Sequence, residues 1–220
     1  MSGIEEDGEQ GDAPVVFVVD DDASVRDALE LLIGSAGWRT QTCASANEFL
    51  ARPRLRMPSC LVLDVAMPGL DGLELQQRVV AERPELPIIF VTGHEDVPRT
   101  VKAMKAGAVE FLLKPLDAGV LLDAIGAALE RSRTALANEA EIEVLRERYA
   151  SLSARERQVM ALVVAGLMNK QVGSELGISE VTVKAHRGSM MRKMQAASLP
   201  DLVTISARLG VGPTRGRESL

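Results

Sequence analysis

Chemically active side chains recur in this sequence directly after, or at the end of, short apolar runs. Asp20 and Asp21 follow one run, Asp64 follows another, Thr92 ends a third and Lys114 follows a fourth. Because groups at the carboxyl ends of neighbouring parallel strands converge in the crevice above a sheet, we expect these side chains to meet. Three carboxylates, one hydroxyl and one ammonium suit a divalent cation and a phosphoryl group.

The apolar runs and the segments between them predict an alternation of strands and helices from Pro14 to about Arg131. The first and fourth runs are apolar on consecutive residues, as expected of parallel strands that are covered on both faces. We therefore predict an α/β fold with a doubly wound five-stranded parallel sheet. The predicted strands are residues 15–19, the weak stretch 38–42, and residues 60–63, 88–91 and 111–113.

Length and composition favour a globular protein without membrane spans. The 220 residues allow one large or two ordinary domains, and no apolar stretch approaches the roughly 20 residues that cross a bilayer. The acidic start lacks the order of a signal peptide, so we expect a cytoplasmic protein. Cys43 and Cys60 fit that compartment, since they have neither metal-site spacing nor a disulfide framework.

The net charge of −6 hides an asymmetry between the two parts of the chain. From Ser151 onward there are ten Lys and Arg residues against five Asp and Glu residues, whereas the preceding part has fifteen against twenty-six. A basic C-terminal module on an acidic body indicates that only the C-terminal module touches a polyanion.

We predict five segments along the chain. Residues 1–13 form a disordered acidic tail, residues 14–131 the first domain, and residues 132–150 a linker. The linker either continues the helix that starts near Asp117 as far as Tyr149, which we favour, or is loosely structured after Arg131. Residues 151–212 form a helical module, and residues 213–220 form a flexible tail.

Four motifs in the first domain resemble the receiver domain of two-component response regulators. They are Val18-Val19-Asp20-Asp21, the run from Leu63 to Gly69, Val91-Thr92-Gly93 and Leu113-Lys114-Pro115. The resemblance implies a flavodoxin-like fold in which Asp64 takes a phosphoryl group from a partner sensor histidine kinase. It also implies a cis bond before Pro115, and it places Thr92 and Phe111 at switch positions.

The residue types of this site also suit the implied chemistry. Asp64 is a carboxylate nucleophile of the kind that forms aspartyl phosphates. Because its attack on a phosphohistidine brings two anions together, a cation must neutralise them. Asp21, Asp64, the backbone carbonyl of Ala66 and Asp20 through water can supply the oxygen ligands that Mg²⁺ prefers. Lys114 and the Thr92 hydroxyl would then bind phosphoryl oxygens.

The C-terminal module shows only helical periodicity. Residues 169–176, a Gly177-Ile178 turn and residues 179–187 read as helix, tight turn and helix, with Ser179 as the cap of the second helix. Upstream, Ser153 and Glu156 form a capping box. The module resembles the LuxR-type four-helix domain with a helix-turn-helix, and with the receiver it resembles the NarL/FixJ class.

In this interpretation the second helix of the motif enters the major groove of promoter DNA. Val181, Val183, Met190 and Met194 are expected to form its apolar face. Two sequence features stand apart, because Gly173 lies inside the first helix and Gly188 stands where related proteins often carry a basic residue. The candidate contacts are Thr182, Arg187 and Lys193 for phosphates, and Lys184 and Ala185 for base edges.

Together these features predict a phosphorylation-controlled transcription regulator, not an enzyme, that forms a homodimer on phosphorylation. One alternative is an atypical receiver that acts as a constitutive DNA-binding dimer. Another is an aspartyl-phosphate phosphohydrolase, which usually needs a second carboxylate two residues after the nucleophile. Ala66 occupies that position.

Overall fold

The computed structural model describes residues 13–93 and 97–211, with side chains described except at 97–99. The predicted tails at 1–13 and 213–220 therefore lie outside these residues, apart from Ala13. The chain divides into two compact units between Ala137 and Asn138.

The first unit is an α/β fold around one parallel sheet of five strands in the order β2-β1-β3-β4-β5. The predicted fold class of this unit is confirmed. Its elements are β1 (Val15–Val19), α1 (Ala23–Ser35), β2 (Arg39–Cys43), α2 (Ala46–Leu50), β3 (Ser59–Asp64), α3 (Gly72–Glu82), β4 (Ile88–Thr92), α4 (Val97–Lys105), β5 (Glu110–Leu113) and α5 (Ala118–Ala150).

The strand register brings the carboxyl ends of four strands to one edge of the sheet. Val19 of β1 pairs with Leu63 of β3, and Thr92 of β4 pairs with Leu113 of β5. Asp20, Asp64 and Lys114 directly follow three of these positions, so they emerge at the same edge of the sheet as Thr92. This register is what gathers the chemically active side chains.

The sheet has a separate apolar core on each face. Within β1, Phe17 and Val19 belong to the core that includes Phe49, whereas Val16 and Val18 belong to the core that includes Ile125. Because successive strand side chains point to opposite faces, a strand that is covered on both sides is apolar at every position. The continuous apolar runs of the sequence follow from this arrangement.

Helix α5 is 33 residues long and supplies side chains to both units. Leu121 and Ile125 lie in a core of the first unit, and Leu145 lies in the core of the second. The linker is thus helical, as the favoured interpretation predicted. None of the helices in residues 13–93 and 97–211 is both long and apolar enough to cross a membrane.

The second unit is helical and places four helices after α5, so the second part of the predicted fold class is confirmed. The predicted capping box starts α6, where Glu156 accepts a hydrogen bond from the Ser153 amide and the Ser153 hydroxyl accepts one from the Glu156 amide. The helices are α6 (Ala154–Val164), α7 (Asn169–Leu176), α8 (Glu180–Met194) and α9 (Leu199–Leu209).

The turn between α7 and α8 depends on two glycines. Gly177 ends α7 at φ 64°, a left-handed conformation that glycine adopts without strain. A Cβ on Gly173 would lie 2.8 Å from the backbone oxygen of Ile178, so glycine is needed for α7 to approach the turn. The close approach explains the glycine inside this helix. As predicted, Ser179 caps α8 by accepting a hydrogen bond from the Thr182 amide.

We predict that Gly173→Ala destabilises the second unit by about 1–3 kcal/mol, since the added methyl group overpacks against backbone that cannot rotate away. Differential scanning calorimetry of the full chain measures the change. Gly188→Ala is the matched control, because a Cβ there meets only the Arg192 guanidinium at 3.8 Å. That control should stabilise α8 by about 0.5–1 kcal/mol. Equal effects of the two substitutions would contradict the role of Gly173.

Candidate functional site

The strand-end residues meet around the ammonium of Lys114. Its Nζ donates to Asp20 Oδ2 at 2.8 Å and to Asp64 Oδ1 at 3.3 Å. Both carboxylates are buried, with Asp20 3% and Asp64 7% exposed, whereas Asp21 is exposed. The structure therefore brings together four of the predicted residues, because Thr92 also lies at this edge and is 2% exposed.

Backbone amides hold the two carboxylates in place. Asp20 Oδ1 accepts the Asp22 amide at 2.9 Å, and Asp64 Oδ2 accepts the Ala66 amide at 2.8 Å. The Arg26 guanidinium reaches the backbone oxygen of Asp20 at 2.7 Å. Each carboxylate is thus held in one orientation by hydrogen bonds to neighbouring backbone.

The backbone at Thr92, Lys114 and Pro115 positions the ammonium. The Lys114 amide donates to the backbone oxygen of Thr92 at 2.8 Å, which extends the pairing of β4 and β5 to the site. The bond between Lys114 and Pro115 is cis, as the resemblance implied.

Burial and the neighbouring charges shift two pKa values in this cluster. Burial raises the pKa of Asp64 above its usual value, and the charge of Asp20 adds to the rise, while Lys114 opposes it. For Lys114, burial opposes the charged form, but the hydrogen bond and charge of Asp20 and the charge of Asp64 together raise its pKa. A buried pair of carboxylates is therefore stabilised by one shared cation.

The carboxylate oxygens of this site suit a hard cation that retains several of its water ligands. Among the residues that the structure describes, no three His, Cys, Asp or Glu side chains gather closely enough to form a preformed metal cage. Mg²⁺ does not need such a cage, since it usually binds one or two carboxylates and retains several waters. Asp20 and Asp64 supply buried carboxylate oxygens, and the exposed Asp21 lies next to Asp20.

Two residues of this region were not identified from the sequence as site residues. A Cβ on Gly72 would lie 2.4 Å from the backbone oxygen of Asp64 and 3.2 Å from Cε1 of the Phe90 ring, so α3 begins in direct contact with the backbone of Asp64. The Phe90 ring lies 6.0 Å from the ring of Phe111, which is partly buried. The sequence signal for Gly72 was its place in the turn after Asp64.

The first turns of α8 present a mixed surface. Lys184 and Ala185 are exposed, and Lys184 forms an ion pair with Glu180 at 3.2 Å. Thr182 is partly buried, and its hydroxyl lies 2.8 Å from that of Ser179. The two residues expected to face base edges thus lie at the surface.

The other two candidate phosphate contacts already have partners within the unit. Arg187 Nη1 donates to Asn169 Oδ1 at 3.0 Å, which joins α8 to the start of α7. Lys193 Nζ donates to Glu156 Oε2 at 2.7 Å and to the Ser151 backbone oxygen at 3.2 Å. Their assignment as phosphate contacts stays a prediction, and Lys193 also stabilises the start of α6.

The expectation for Val181 was wrong. Val183, Met190 and Met194 are fully buried, but Val181 is 76% exposed. Val181 lies two positions before Val183, and side chains two residues apart on a helix do not face the same way. Strict helical spacing from Val183 would have placed it outside the core.

Comparison with known proteins assigns both units. Residues 16–126 match the model of the response regulator receiver domain, and residues 150–206 match that of the bacterial regulatory proteins of the luxR family.

Several known proteins resemble the chain over most of its length. Nodulation protein W of Bradyrhizobium diazoefficiens is 48% identical over 90% of this chain and 87% of its own. The transcriptional regulatory protein FixJ of the same organism is 45% identical over 89% of this chain and 96% of its own. Among solved structures, the response regulator StyR matches with a TM-score of 0.75 and 46% identity, over 89% of this chain and 99% of that one.

We predict that Gly72→Ala destabilises the first unit by about 1–3 kcal/mol, because the methyl group must displace backbone at Asp64 and Val65. Urea unfolding of the full chain, followed by circular dichroism, measures the loss. Gly34→Ala is the matched control, since a Cβ there meets nothing within 4 Å. An unchanged stability of Gly72→Ala would contradict the close approach of α3.

The lowered pKa of Glu156 makes the stability of the second unit depend on pH. The hydrogen bond from Lys193, with others from Ser189 and the Ser153 backbone, lowers the pKa of Glu156 to about 2 from an ordinary 4.5. A carboxyl with a lowered pKa stabilises the fold above its ordinary pKa and loses that effect as pH falls through the lowered value. Glu156→Gln should therefore cost roughly 1–2 kcal/mol at neutral pH, and the difference from the natural protein should shrink from pH 4.5 toward about 2.

Calorimetry of Glu156→Gln and of the natural protein across that pH range measures this difference in stability. Glu141→Gln is the control, because the ion pair of Glu141 with Arg208 has a 61% exposed carboxylate side chain. Exposed pairs contribute little, so this variant should stay close to the natural protein at every pH. A difference for Glu156→Gln that does not change with pH would argue against a charged Glu156 as the cause.

Proposed function

Because this chain belongs to the response regulators that join a receiver domain to a LuxR-type DNA-binding domain, we propose that phosphorylation of Asp64 controls its binding to promoter DNA. The phosphoryl group comes from a partner sensor histidine kinase. The observation that carries the proposal is the pair of contacts from Lys114 Nζ to Asp20 at 2.8 Å and to Asp64 at 3.3 Å. The protein acts in the cytoplasm, where promoter DNA is found.

In the proposed transfer, an Asp64 oxygen attacks the phosphorus of a phosphohistidine. A phosphorus–oxygen bond forms as the phosphorus–nitrogen bond breaks, and the imidazole leaves with the electron pair. Lys114 is positioned to bind a phosphoryl oxygen as a point charge, and the Thr92 hydroxyl binds another. The Ala66 amide, which holds Asp64 Oδ2, keeps the carboxylate oriented during the attack.

Receiver domains bind Mg²⁺ at an acidic pocket, and here Asp20, Asp21, Asp64 and the Ala66 carbonyl would hold it. Mg²⁺ supplies charge neutralisation for the two anions that meet. Asp20 would act through a water molecule, and Asp21 and Asp64 would bind the ion directly. The exposure of Asp21 leaves room for the waters that Mg²⁺ retains.

The phosphorylated site is read out through Thr92 and Phe111. Thr92 moves toward the phosphoryl group, and the partly buried Phe111 ring repacks beside Phe90. Phosphorylation thereby favours one arrangement of the face formed by α4, β5 and α5. Large apolar side chains on this face are exposed, which supports a homodimer interface there. They are Val101, Met104, Leu113 and Val120, which are 46%, 42%, 43% and 52% exposed.

A dimer then places two α8 helices on neighbouring half-sites of promoter DNA, separated by about one helical turn. Lys184 and Ala185 face base edges, whereas Thr182, Arg187 and Lys193 contact phosphates. The basic charge of the module supports contact with DNA, since phosphate contacts dominate affinity for DNA.

The phosphohydrolase alternative has less support in this site. Such an enzyme needs an acid/base carboxylate near the nucleophile, and Ala66 stands two residues after Asp64. The Ala66 amide contacts the nucleophile, but it has no side chain that could transfer a proton.

We predict that the full chain gains one phosphoryl group when mixed with phosphoramidate and Mg²⁺, and that Asp64→Asn does not. Intact-protein mass spectrometry measures the gain, and analytical ultracentrifugation of the same samples measures the dimer. Asp27→Asn on the exposed side of α1 is the control, and it should behave like the natural protein.

Each outcome of this experiment decides between the proposals. A gain on the natural protein with a shift to dimer, both lost in Asp64→Asn, supports phosphorylation control. A gain without any shift to dimer would favour the constitutive DNA-binding dimer. No gain at Asp64 would overturn its role as the phosphoacceptor.

A further inference from the structure

One large apolar side chain on α8 has no place in the core of the second unit. Val181 is 76% exposed, whereas Val183 is fully buried two residues later. A lone exposed valine needs no explanation by itself. Its position is what matters, because it lies in the first turn of α8, the part of a recognition helix that contacts base edges.

Val181 forms an exposed apolar column with Ala185. Residues four apart on a helix are neighbours on its surface, so the two side chains lie one above the other. Beside them runs a charged column, in which Glu180 and Lys184 form an ion pair at 3.2 Å. The surface of α8 thus offers base edges a cationic donor and, next to it, a methyl-covered strip.

Toward the middle of α8, this strip has no large side chain. Gly188 follows Ala185 by three residues, and a Cβ there would meet only the Arg192 guanidinium at 3.8 Å. A strip without large side chains lets the helix approach the floor of the DNA major groove closely. Because Gly188 has no side chain, Val181 and Ala185 are the apolar groups of this strip that can reach the floor of the groove.

The local structure also fixes the Val181 side chain in one direction. Ser179 caps the helix through the Thr182 amide at 3.1 Å, and the buried Val183 anchors the same turn. A β-branched side chain in a helix has one strongly preferred χ1 rotamer. Val181 is therefore a rigid apolar contact that loses little entropy on binding.

We propose that Val181, supported by Ala185, reads the C5-methyl group of a thymine in the major groove and thereby selects thymine at one position of each half-site. Apolar contact with this methyl group is how side chains without hydrogen-bond donors distinguish thymine. The inference deepens the proposed function, since it rests on α8 as the helix that reads DNA. It adds Val181 to Lys184 and Ala185 as a specificity-determining residue of α8.

The test begins with selection from a randomised duplex pool by the full chain treated with phosphoramidate and Mg²⁺. Each thymine of the selected half-site is then replaced, one at a time, by deoxyuridine, which lacks only the methyl group. Replacement at the position read by Val181 should weaken binding by the natural protein about fourfold, the effect of one buried methyl group. The same replacement should change the affinity of Val181→Ala by less than about 1.5-fold.

Val203→Ala is the matched control, since Val203 is an exposed valine on α9, 41% accessible, outside the proposed contact surface. It should keep the loss of about fourfold. The inference is overturned if no deoxyuridine replacement weakens the natural protein, or if Val181→Ala suffers the same loss.

Lys184→Ala separates failure of this inference from failure of the proposed function. If Lys184→Ala weakens binding to the selected duplex while Val181→Ala keeps the methyl effect, α8 reads DNA but Val181 does not. If neither substitution changes the affinity for the selected duplex, α8 is not the recognition helix, and the proposed DNA contacts are overturned with the inference.

Discussion

The ammonium of Lys114 between two buried carboxylates is the interaction on which the first unit's chemistry depends. Asp20 and Asp64 carry like charges in a site from which water is largely excluded, and such a pair is strongly unfavourable without compensation. Lys114 comes from the end of β5, fifty positions beyond Asp64, so the cation arrives only when the sheet is complete. The site is therefore a product of the register of β1, β3, β4 and β5, and any change in that register would leave a buried carboxylate without its partner.

In each unit, a glycine allows a helix to contact the backbone of a neighbouring segment. In the first unit, Gly72 lets α3 start against the backbone oxygen of Asp64 and beside the Phe90 ring. Because Phe90 also contacts Phe111, a shift at Asp64 has a packed route to β5. In the second unit, Gly173 lets α7 approach the turn before α8. Dense packing of this kind transmits small displacements, since neither contact leaves room for the backbone to yield.

Features that follow from the order of apolar and polar residues along the chain could be predicted from the sequence. Features that depend on contacts between distant residues could not. The strand-end site was predictable because apolar runs locate parallel strands and their carboxyl ends coincide. The partners of Lys193 were not predictable, since Glu156 lies thirty-seven positions earlier, on a different helix. Val181 was misassigned because an exposed valine and a core valine are the same residue type, although the two-residue spacing from the buried Val183 places them on different sides of α8. The role of Gly72 needed the position of the Asp64 carbonyl, which no sequence pattern gives.

The existing partners of two basic residues bear on how α8 meets DNA. Arg187 uses Nη1 for Asn169, but a guanidinium carries further N–H donors in a fixed plane, so the same side chain could bind a phosphate through another donor. Lys193 has a compact ammonium that already donates to Glu156 and to the Ser151 backbone oxygen. A phosphate would have to compete there with a buried carboxylate that also caps α6. Of the two proposed contacts, Arg187 therefore needs the smaller rearrangement to bind a phosphate, whereas Lys193 would first have to leave Glu156.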